Sequence, residues 1–321
     1  MRGLEERVTR VRPDPVIVTL SQTPDLARDL DGALRAAGIT ARVVSDESAA
    51  AGADLVVLDH RALTEADLER LLTAHAARTV LVTAQEDKDN INNLLARFPI
   101  CHLIGANGRS FLREIVITVR KQATGDIWGL AKYFDAPVHL ETKVIDKAEK
   151  IDPTIEDMLS RLDLTATFSA THEFLRLTTN ELTTNAVYNA PVDAANKPKY
   201  EQTDRKEKIH LLTSETVEVS VCHDATFIGV SVADQFGRLD RDKIVRHLVK
   251  CVNNTKFIEN KKGGAGAGIY LAFYTASQFI INIDPGKRLE AICILERSKR
   301  YKEYRSRITS FNYFTKLGGA A

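Results

Sequence analysis

Long hydrophobic runs are missing from this sequence. No apolar stretch approaches the roughly 20 residues that a membrane-spanning helix needs, so no membrane span is expected. The charged segment at residues 1–15 has no apolar centre of the kind that a secretory signal carries. Cysteine is also scarce. The four cysteines among 321 residues have no CxxC spacing, which predicts reduced, mostly buried thiols in a cytoplasmic protein.

A strong excess of one charge sign is absent as well. The chain carries 44 basic and 43 acidic residues, which gives a formal net charge of +1. A broad nucleic-acid footprint requires a strongly basic surface, so nucleic acid is not the expected partner. The near balance leaves room for protein partners and small-molecule ligands.

Composition changes abruptly near residue 120, which indicates a domain boundary. Lys88 is the only lysine before that point, whereas Lys and Asn are common after it. We predict a first domain at 1–122, a connecting helical region at 123–164, a second domain at 165–300 and a basic, aromatic C-terminal tail at 301–321. For the tail we favour an amphipathic helix that docks its aromatic side chains on the second domain. Contact with nucleic acid, an acidic partner or a membrane surface is the alternative.

The first domain alternates short apolar runs with amphipathic segments. Five runs have the length of buried parallel strands. The segment between the first two places Leu26, Leu30 and Leu34 on one helix face, and Gly38 ends that helix. This alternation predicts an α/β fold with a doubly wound parallel sheet in flavodoxin-like order, whose ligand sites lie at the carboxyl ends of the strands. The predicted strands are Pro15–Leu20, Ala41–Val44, Asp54–Asp59, Thr79–Thr83 and Cys101–Gly105.

Residues at two strand ends make this half resemble a response-regulator receiver domain. Asp59 ends the third predicted strand, where that family carries its phosphoacceptor, and Thr83 ends the fourth, where it carries a hydroxyl residue. The acidic pair expected after the first strand is replaced by Leu20 and Ser21, and the lysine expected after the fifth is absent. A lone carboxylate holds Mg²⁺ poorly. The resemblance therefore favours a degenerate receiver that docks protein partners, with phosphorylation of Asp59 as the alternative.

A long helical pattern in the second domain carries a polar stripe. Glu181, Asn185 and Asn189 recur every four residues, which places them on one helix face before Pro191 ends the helix. Taken alone, the stripe fits either a solvated face or a site built from one carboxylate and two amides.

Further predicted strands in this half surround a run of glycines. The third strand ends near Asp234, and Gly263, Gly264, Gly266 and Gly268 precede an apolar, helix-like segment. Glycines at the start of a helix allow backbone N–H groups and the positive end of the helix dipole to approach phosphate oxygens. The predicted strands are Lys208–Thr213, Thr216–Asp224, Phe227–Gly237, Gln278–Asp284 and Leu289–Leu295, the last two forming a hairpin.

This order of segments resembles the GHKL ATPase fold, the group that contains gyrase, MutL, sensor histidine kinases and anti-sigma-factor kinases. The resemblance covers roughly residues 165–297 and implies a two-layer α/β sandwich, the Bergerat fold, that binds ATP or ADP with Mg²⁺. The segment "NELTTNA" matches the first box of the family. By that match Asn185 would ligate Mg²⁺, Glu181 would take the catalytic role of general base, and Asn189 would make a nearby polar contact.

Two glycine boxes complete the resemblance. "DQFGRLD" is similar to the first box, DxGxG, so Asp234 would accept a hydrogen bond from the adenine amine. Phe236 and Arg238 occupy the two glycine positions of that box, with Gly237 between them. "GAGAGI" matches the second box, which implies phosphate binding by the backbone of its glycines and added positive charge from Lys262. Those glycines are Gly264, Gly266 and Gly268.

Together the two resemblances imply a bacterial cytoplasmic signalling protein. Its GHKL-like domain would bind ATP or ADP with Mg²⁺, and its degenerate receiver would dock protein partners. One alternative is an active protein kinase that phosphorylates a partner in trans, with Glu181 activating the acceptor. Another is an interaction scaffold that binds no nucleotide. The oligomeric state, including a homodimer, stays open.

Overall fold

The computed structural model describes residues 15–21, 25–83, 88–106, 110–205, 207–252 and 267–316. The chain divides into two compact units. Unit 1 comprises the chain up to Ile127 together with the segment that starts at Ser310, and unit 2 comprises Trp128–Thr309. Both units combine strands and helices, so the α/β class is confirmed.

The elements follow the chain in this order. The part of unit 1 before Ile127 contains β1 (Val16–Leu20), α1 (Leu26–Ala36), β2 (Arg42–Val44), β3 (Leu55–Asp59), α2 (Glu65–His75), β4 (Thr79–Thr83), α3 (Lys88–Arg97), β5 (His102–Gly105) and α4 (Ser110–Thr124). Unit 2 contains β6 (His139–Ile145), α5 (Ile151–Leu159), α6 (Thr171–Tyr188), β7 (Val217–His223), β8 (Phe227–Asp234), α7 (Arg241–Val252), α8 (Ala267–Thr275), β9 (Gln278–Asp284), β10 (Arg288–Glu296) and α9 (Tyr301–Ser306). The last strand of unit 1 is β11 (Ser310–Thr315).

The sheet of unit 1 is parallel over its first five strands. Their order is β2-β1-β3-β4-β5, as expected of a doubly wound sheet with flavodoxin-like connections. Central strands are buried on both faces, which is why they consist of β-branched and leucine runs. Ile17, Val57, Val80 and Ile104 form one core with Leu34 of α1. This order brings the carboxyl ends of β1, β3 and β4 side by side.

The C-terminal tail is only partly the expected docking helix. In α9, Tyr301 and Tyr304 do contact Phe168 of unit 2. The described residues after α9 instead contain β11, which pairs antiparallel with β5, with Asn312 opposite His102 and Phe311 opposite Leu103. All β11 residues except Thr315 are buried. Aromatic residues such as Phe311 and Tyr313 favour strands, and pairing with β5 buries them more completely than a surface helix would.

Unit 2 is an antiparallel sheet with helices packed on it. The strand order is β9-β10-β8-β7-β6, and every pair within this set is antiparallel. Helix α6 is the centre of the helical layer, because it packs on α5, α8 and β8. Helix α7 packs on α8. Helix α6 therefore connects β8 and α8 within one helix–sheet layer.

Two sequence predictions for this half differ from the structure. The region at 123–164, expected to be a helical connection, contributes β6 to the sheet of unit 2, and α5 is its main helix. The strand expected at Lys208–Thr213 is reduced to one bridge, between His210 and Lys147. Strand β6 alternates apolar residues with charged ones and contains no continuous apolar run. A prediction based on apolar runs therefore misses its period of two.

Candidate functional site

Helix α6 positions the polar stripe found in the sequence. Leu175, Leu182 and Ala186 are buried and hold one side of the helix against the sheet. Glu181 and Asn185 are half-buried at the edge of that contact, and Asn189 is exposed at the helix end. The stripe is therefore not a simple solvated face, since two of its three residues lie partly inside the unit.

The carboxylate of Glu181 lies directly against the start of α8. A Cβ atom placed on Gly268 would stand 2.2 Å from Oε2 of Glu181, closer than any real contact. The two helices are also joined where the hydroxyls of Thr178, in the middle of α6, and Thr275, the last residue of α8, are 3.0 Å apart. Glycine at 268 is thus required for α6 and α8 to approach with this carboxylate between them.

Two opposing effects act on the carboxyl group of Glu181. Burial raises the pKa of the Glu181 carboxyl, and the positive charge of Arg205 opposes that rise. Within the described residues the carboxylate has no hydrogen-bond donor. A half-buried carboxylate with a raised pKa and free lone pairs has the character of a general base.

Arg205 is a member of this site that the sequence analysis missed. Its guanidinium carbon lies 3.9 Å from the centre of the Tyr188 ring, a cation–π contact at the end of α6. The long connection between α6 and β7 brings it there, and Lys199 and Tyr200 anchor that connection through the buried carboxylate of Glu215. In the sequence, Arg205 is one charge in a polar segment, and nothing in its spacing relates it to Glu181.

Asn185 and Asn189 form a pair rather than two separate ligands. The side-chain amide of Asn189 donates to Oδ1 of Asn185 over 2.8 Å. The bond fixes the direction of the Asn185 carbonyl oxygen, which keeps a second lone pair. Asn189 therefore orients Asn185, as residues that are hydrogen-bonded to a metal ligand commonly do.

Asp234 ends β8 as a buried carboxyl group. Its Oδ1 accepts the backbone N–H groups of Phe236 at 2.8 Å and of Gly237 at 3.1 Å, and Oδ2 has no protein donor within the described residues. Burial raises the pKa of Asp234 to about 6, and the two amides, Arg238 and Arg288 oppose the rise. A buried acceptor with one open oxygen fits recognition of an exocyclic amine.

Gly237 has a structural reason to be glycine. Its φ of +59° lies in the left-handed region, and a Cβ there would stand 2.3 Å from the carbonyl oxygen of Asp284. Its own carbonyl accepts the N–H of Gly286 in the β9–β10 turn. The residue therefore fixes the end of β8 against that turn and so holds the loop that binds Oδ1 of Asp234.

Several predicted site residues lie outside the described part of the chain. These are Lys262, Gly264 and Gly266, with Gly263 beside them. Of the second glycine box, Gly268 is described, and it contacts Glu181. Asp234 and Glu181 share no hydrogen bond. They belong to one layer through α6, which packs on both β8 and α8.

The strand ends of unit 1 enclose a second carboxylate, that of Asp59. Its side chain is almost fully buried, and Arg61 binds both oxygens, with N–O distances of 2.8 and 2.9 Å. The hydroxyl of Ser21 donates to Oδ2 over 2.8 Å. Burial raises the pKa of Asp59, but the bonds from Arg61 and Ser21 outweigh it, so the net pKa lies below its usual value. Thr83, the predicted hydroxyl residue, contacts His60.

Two further kinds of feature are absent from the described residues. Within these ranges no helix is long and apolar enough to cross a membrane. Among the same residues no group of three or more His, Cys, Asp or Glu side chains is arranged to hold a metal ion.

Comparisons with known proteins add little to this geometry. No family model and no curated protein matches the chain. Among matching solved structures is the response regulator LqsR of Legionella pneumophila, at 10% identity, covering 92% of this chain and 93% of that chain, with a TM-score of 0.29. A TM-score of that size supports no inference about fold details or function.

Proposed function

We propose that unit 2 binds an adenine nucleotide with Mg²⁺ in a GHKL-like site, and that unit 1 is a degenerate receiver that docks protein partners in bacterial cytoplasmic signalling. The observation that carries the proposal is the contact between Glu181 of α6 and Gly268 at the start of α8. Helix α6 also packs on β8, which ends in the buried Asp234. These contacts support the proposal: Glu181 contacts Gly268 directly, and the helix that carries Glu181 also packs on the strand that carries Asp234.

The residues present fit such a ligand. Asp234 offers Oδ2 as an acceptor for the adenine amine, while its Oδ1 is held by two amides. Asn185 offers a carbonyl oxygen, the ligand type that Mg²⁺ prefers, and Asn189 orients it. When bound, Mg²⁺ would neutralise phosphate charge. Arg205, which lies over the Tyr188 ring, supplies a further positive charge that acts on Glu181.

The docking role of unit 1 follows from the state of Asp59. Arg61 supplies the positive charge that a divalent cation supplies in a phosphorylated receiver, and it does so permanently from the same chain. Both carboxylate oxygens accept hydrogen bonds. A partner would therefore recognise the surface of unit 1 in a single state, independent of phosphorylation.

Calorimetric titration of the full chain with ATP and ADP tests the nucleotide proposal. We expect binding with Mg²⁺, and a loss of about tenfold or more in affinity for Asn185→Ala, equal to about 1.4 kcal/mol or more. That loss should shrink when EDTA removes the cation, because Asn185 acts through it. Asp234→Asn should reduce the preference for ATP over GTP, since an amide N–H₂ would then face the adenine amine.

Asn180→Ala is the matched control for Asn185→Ala. Asn180 lies on the same helix, but its amide donates to Asp152 at the α5 contact, away from the stripe. The Asn180→Ala variant should bind nucleotide with the affinity of the native chain. Absence of heat and of thermal stabilisation with either nucleotide would contradict the proposal and favour the scaffold, because saturation at 100 times Kd stabilises a fold by about 2.7 kcal/mol.

A protein kinase is the second candidate, and the state of Glu181 favours it. The carboxylate is half-buried, lacks a donor within the described residues and has a raised pKa, as a base that accepts a proton from a hydroxyl requires. Transfer of labelled γ-phosphate to a co-purified protein should then be lost in Glu181→Gln while nucleotide affinity persists. Glu173→Gln on the same helix, where Glu173 binds only Arg176 among the described residues, is the control. Equal transfer by both variants would exclude Glu181 as the base.

A further inference from the structure

Strand β6 ends the sheet of unit 2 with an exposed apolar surface. It is the last strand in the order β8-β7-β6, so one of its edges has no strand beside it within that sheet. Leu140 is 51% exposed and Val144 is 56% exposed, and both point to the same face because they are four residues apart on a strand. These are among the few large apolar side chains that the described residues expose.

Three of the usual protections of a sheet edge are missing from this strand, and the charge of its Lys143 is already paired with Asp157. Natural edges are blunted by proline, by bulges or by short length. Strand β6 has no proline, and its seven residues pair with β7 in an unbroken register from His139 to Ile145. Its edge is therefore long, regular and able to accept another strand.

The sequence of β6 is complementary to itself when reversed. Around Thr142, Leu140 mirrors Val144 and Glu141 mirrors Lys143. If two copies pair antiparallel with Thr142 at the two-fold axis, Leu140 lies opposite the partner's Val144. Glu141 then lies opposite the partner's Lys143, so that each opposing pair is either apolar or of opposite charge.

The charged residues already belong to a network that such pairing would extend. Lys143 binds Asp157 of α5, and Arg161 binds Glu141 over 2.6 Å. Both charged residues of β6 thus lie on the helix side of the sheet, while the two apolar residues lie on the opposite side. Pairing would add a charge contact on one face and an apolar contact on the other.

We propose that this chain forms a two-fold homodimer in which β6 pairs antiparallel with β6 of a second copy, centred on Thr142. A second copy is favoured over an unrelated strand because both the charges and the apolar residues complement their own mirror image. An unrelated strand would require no such symmetry. The proposal needs only unit 2 and is tested without nucleotide, so it stands or fails separately from the proposed function.

Analytical ultracentrifugation of the full chain over a range of concentrations gives the first test. We expect a monomer–dimer equilibrium. Replacing Leu140 and Val144 together by lysine should raise the dimer dissociation constant by about tenfold or more, because like charges then meet across the axis in a formerly apolar contact. Leu212→Lys is the matched control, since Leu212 is 58% exposed but lies on the loop before β7.

Charge exchange gives the second, more specific test. Glu141→Lys alone sets two lysines opposite each other, and Lys143→Glu alone sets two glutamates opposite each other. Each should weaken the dimer by about tenfold, whereas the double exchange should restore it to about the native value. Circular dichroism melting of every variant confirms that the fold is kept.

Three results would overturn the proposal. One is a monomer at every soluble concentration. Another is a dimer whose dissociation constant is the same in the Leu140 and Val144 double lysine variant as in the native chain. The third is a double charge exchange that remains as weak as the two single variants, because the register centred on Thr142 requires the rescue.

Discussion

Burial of the Asp234 carboxyl makes the stability of the folded chain depend on pH. Its pKa rises from 3.8 to about 6 because burial penalises the charged form more than the amides and nearby arginines stabilise it. In the unfolded chain the group ionises near its ordinary pKa. Its contribution to folding is therefore most favourable below about pH 4 and is lost as the pH rises through about 6.

Asp234→Asn should remove this pH dependence. The amide keeps Oδ1 as acceptor for Phe236 and Gly237 and carries no charge. We expect the variant to gain stability relative to the native chain as the pH rises from about 4 to about 8, by up to about 3 kcal/mol, since one pKa unit corresponds to about 1.4 kcal/mol. Urea unfolding at both pH values measures the difference.

The control is Asp242→Asn, which removes a charge from an aspartate whose side chain is 71% exposed. Its stability difference from the native chain should change less between the two pH values than that of Asp234→Asn, because the charge is removed from an exposed side chain, although its contact with Arg241 is also lost. If Asp234→Asn behaves like this control, the carboxyl is ionised in the folded protein at little cost, and the interpretation of its burial is wrong.

Residue-scale prediction from the sequence named candidate residues but not their partners. Glu181 and Asp234 were found through motif spacing, and both are at least partly buried. Arg205 was missed because its relation to Glu181 depends on a long connection that folds back on Tyr188. Arg61, two residues from Asp59, was also missed, since only the strand end turns its side chain toward the carboxylate.

At the scale of elements, the packing of α6 on α8 depends on one missing Cβ. The closest atoms to a Cβ at Gly268 are Oε2, Cδ and Cβ of Glu181, at 2.2, 2.9 and 3.0 Å. Elsewhere in a helix, alanine is more stable than glycine by about 0.5–1 kcal/mol. At position 268 the contact with Glu181 makes glycine more stable than alanine.

A double-mutant cycle tests this packing. Gly268→Ala should destabilise unit 2 by about 1–3 kcal/mol, because the new methyl group has no space. The same change in a Glu181→Ala background should cost much less, since the two nearest atoms are gone, and the coupling should fall in the range of about 0.5–3 kcal/mol. Denaturant unfolding of the four chains gives the coupling energy.

Gly32→Ala is the control for this cycle. Gly32 lies within α1 and has nothing within 4 Å of its added Cβ, so alanine should stabilise the chain there. Additive effects of Gly268→Ala and Glu181→Ala would show that the two side chains do not share the contact.

Elements with strong patterns were predictable, and those with weak patterns were not. The five parallel strands and α6 followed from apolar runs and from a clear helical period. Strand β6 alternates within a charged segment, and β11 follows a basic stretch, so neither shows a continuous apolar run. Strand β6 is formed by pairing with β7, and strand β11 by pairing with β5.

At the scale of the whole molecule, the last strand of the chain completes the first unit. His102 and Asn312 are 210 residues apart in sequence, yet Nδ1 of His102 donates to Oδ1 of Asn312 over 3.0 Å. Nε2 of His102 accepts from Gln122 at 2.6 Å. Burial lowers the pKa of His102 to about 4, so the ring is neutral and both of its nitrogens are satisfied.

Asn312→Ala should therefore destabilise the N-terminal part of the chain. The change leaves the buried Nδ1–H of His102 without an acceptor, at a cost of about 1–3 kcal/mol. Hydrogen exchange of peptides from β5 and α4 should become faster. Thr315→Ala, at the exposed end of the same strand, is the control. Unchanged exchange in β5 with Asn312→Ala would show that β11 does not stabilise unit 1.

The sequence by itself determined the α/β class, the parallel strands of unit 1 and the residue types at the candidate site. Apolar periodicity and glycine spacing depend only on residues that are close together in the sequence. They can therefore be interpreted without knowledge of the fold. The tertiary structure alone decided that Arg61 neutralises Asp59, that Arg205 lies over the Tyr188 ring where its charge acts on Glu181, and that β11 pairs with β5. Each of these depends on contacts between residues brought together by folding, where burial and charge are set by neighbours that the sequence does not place.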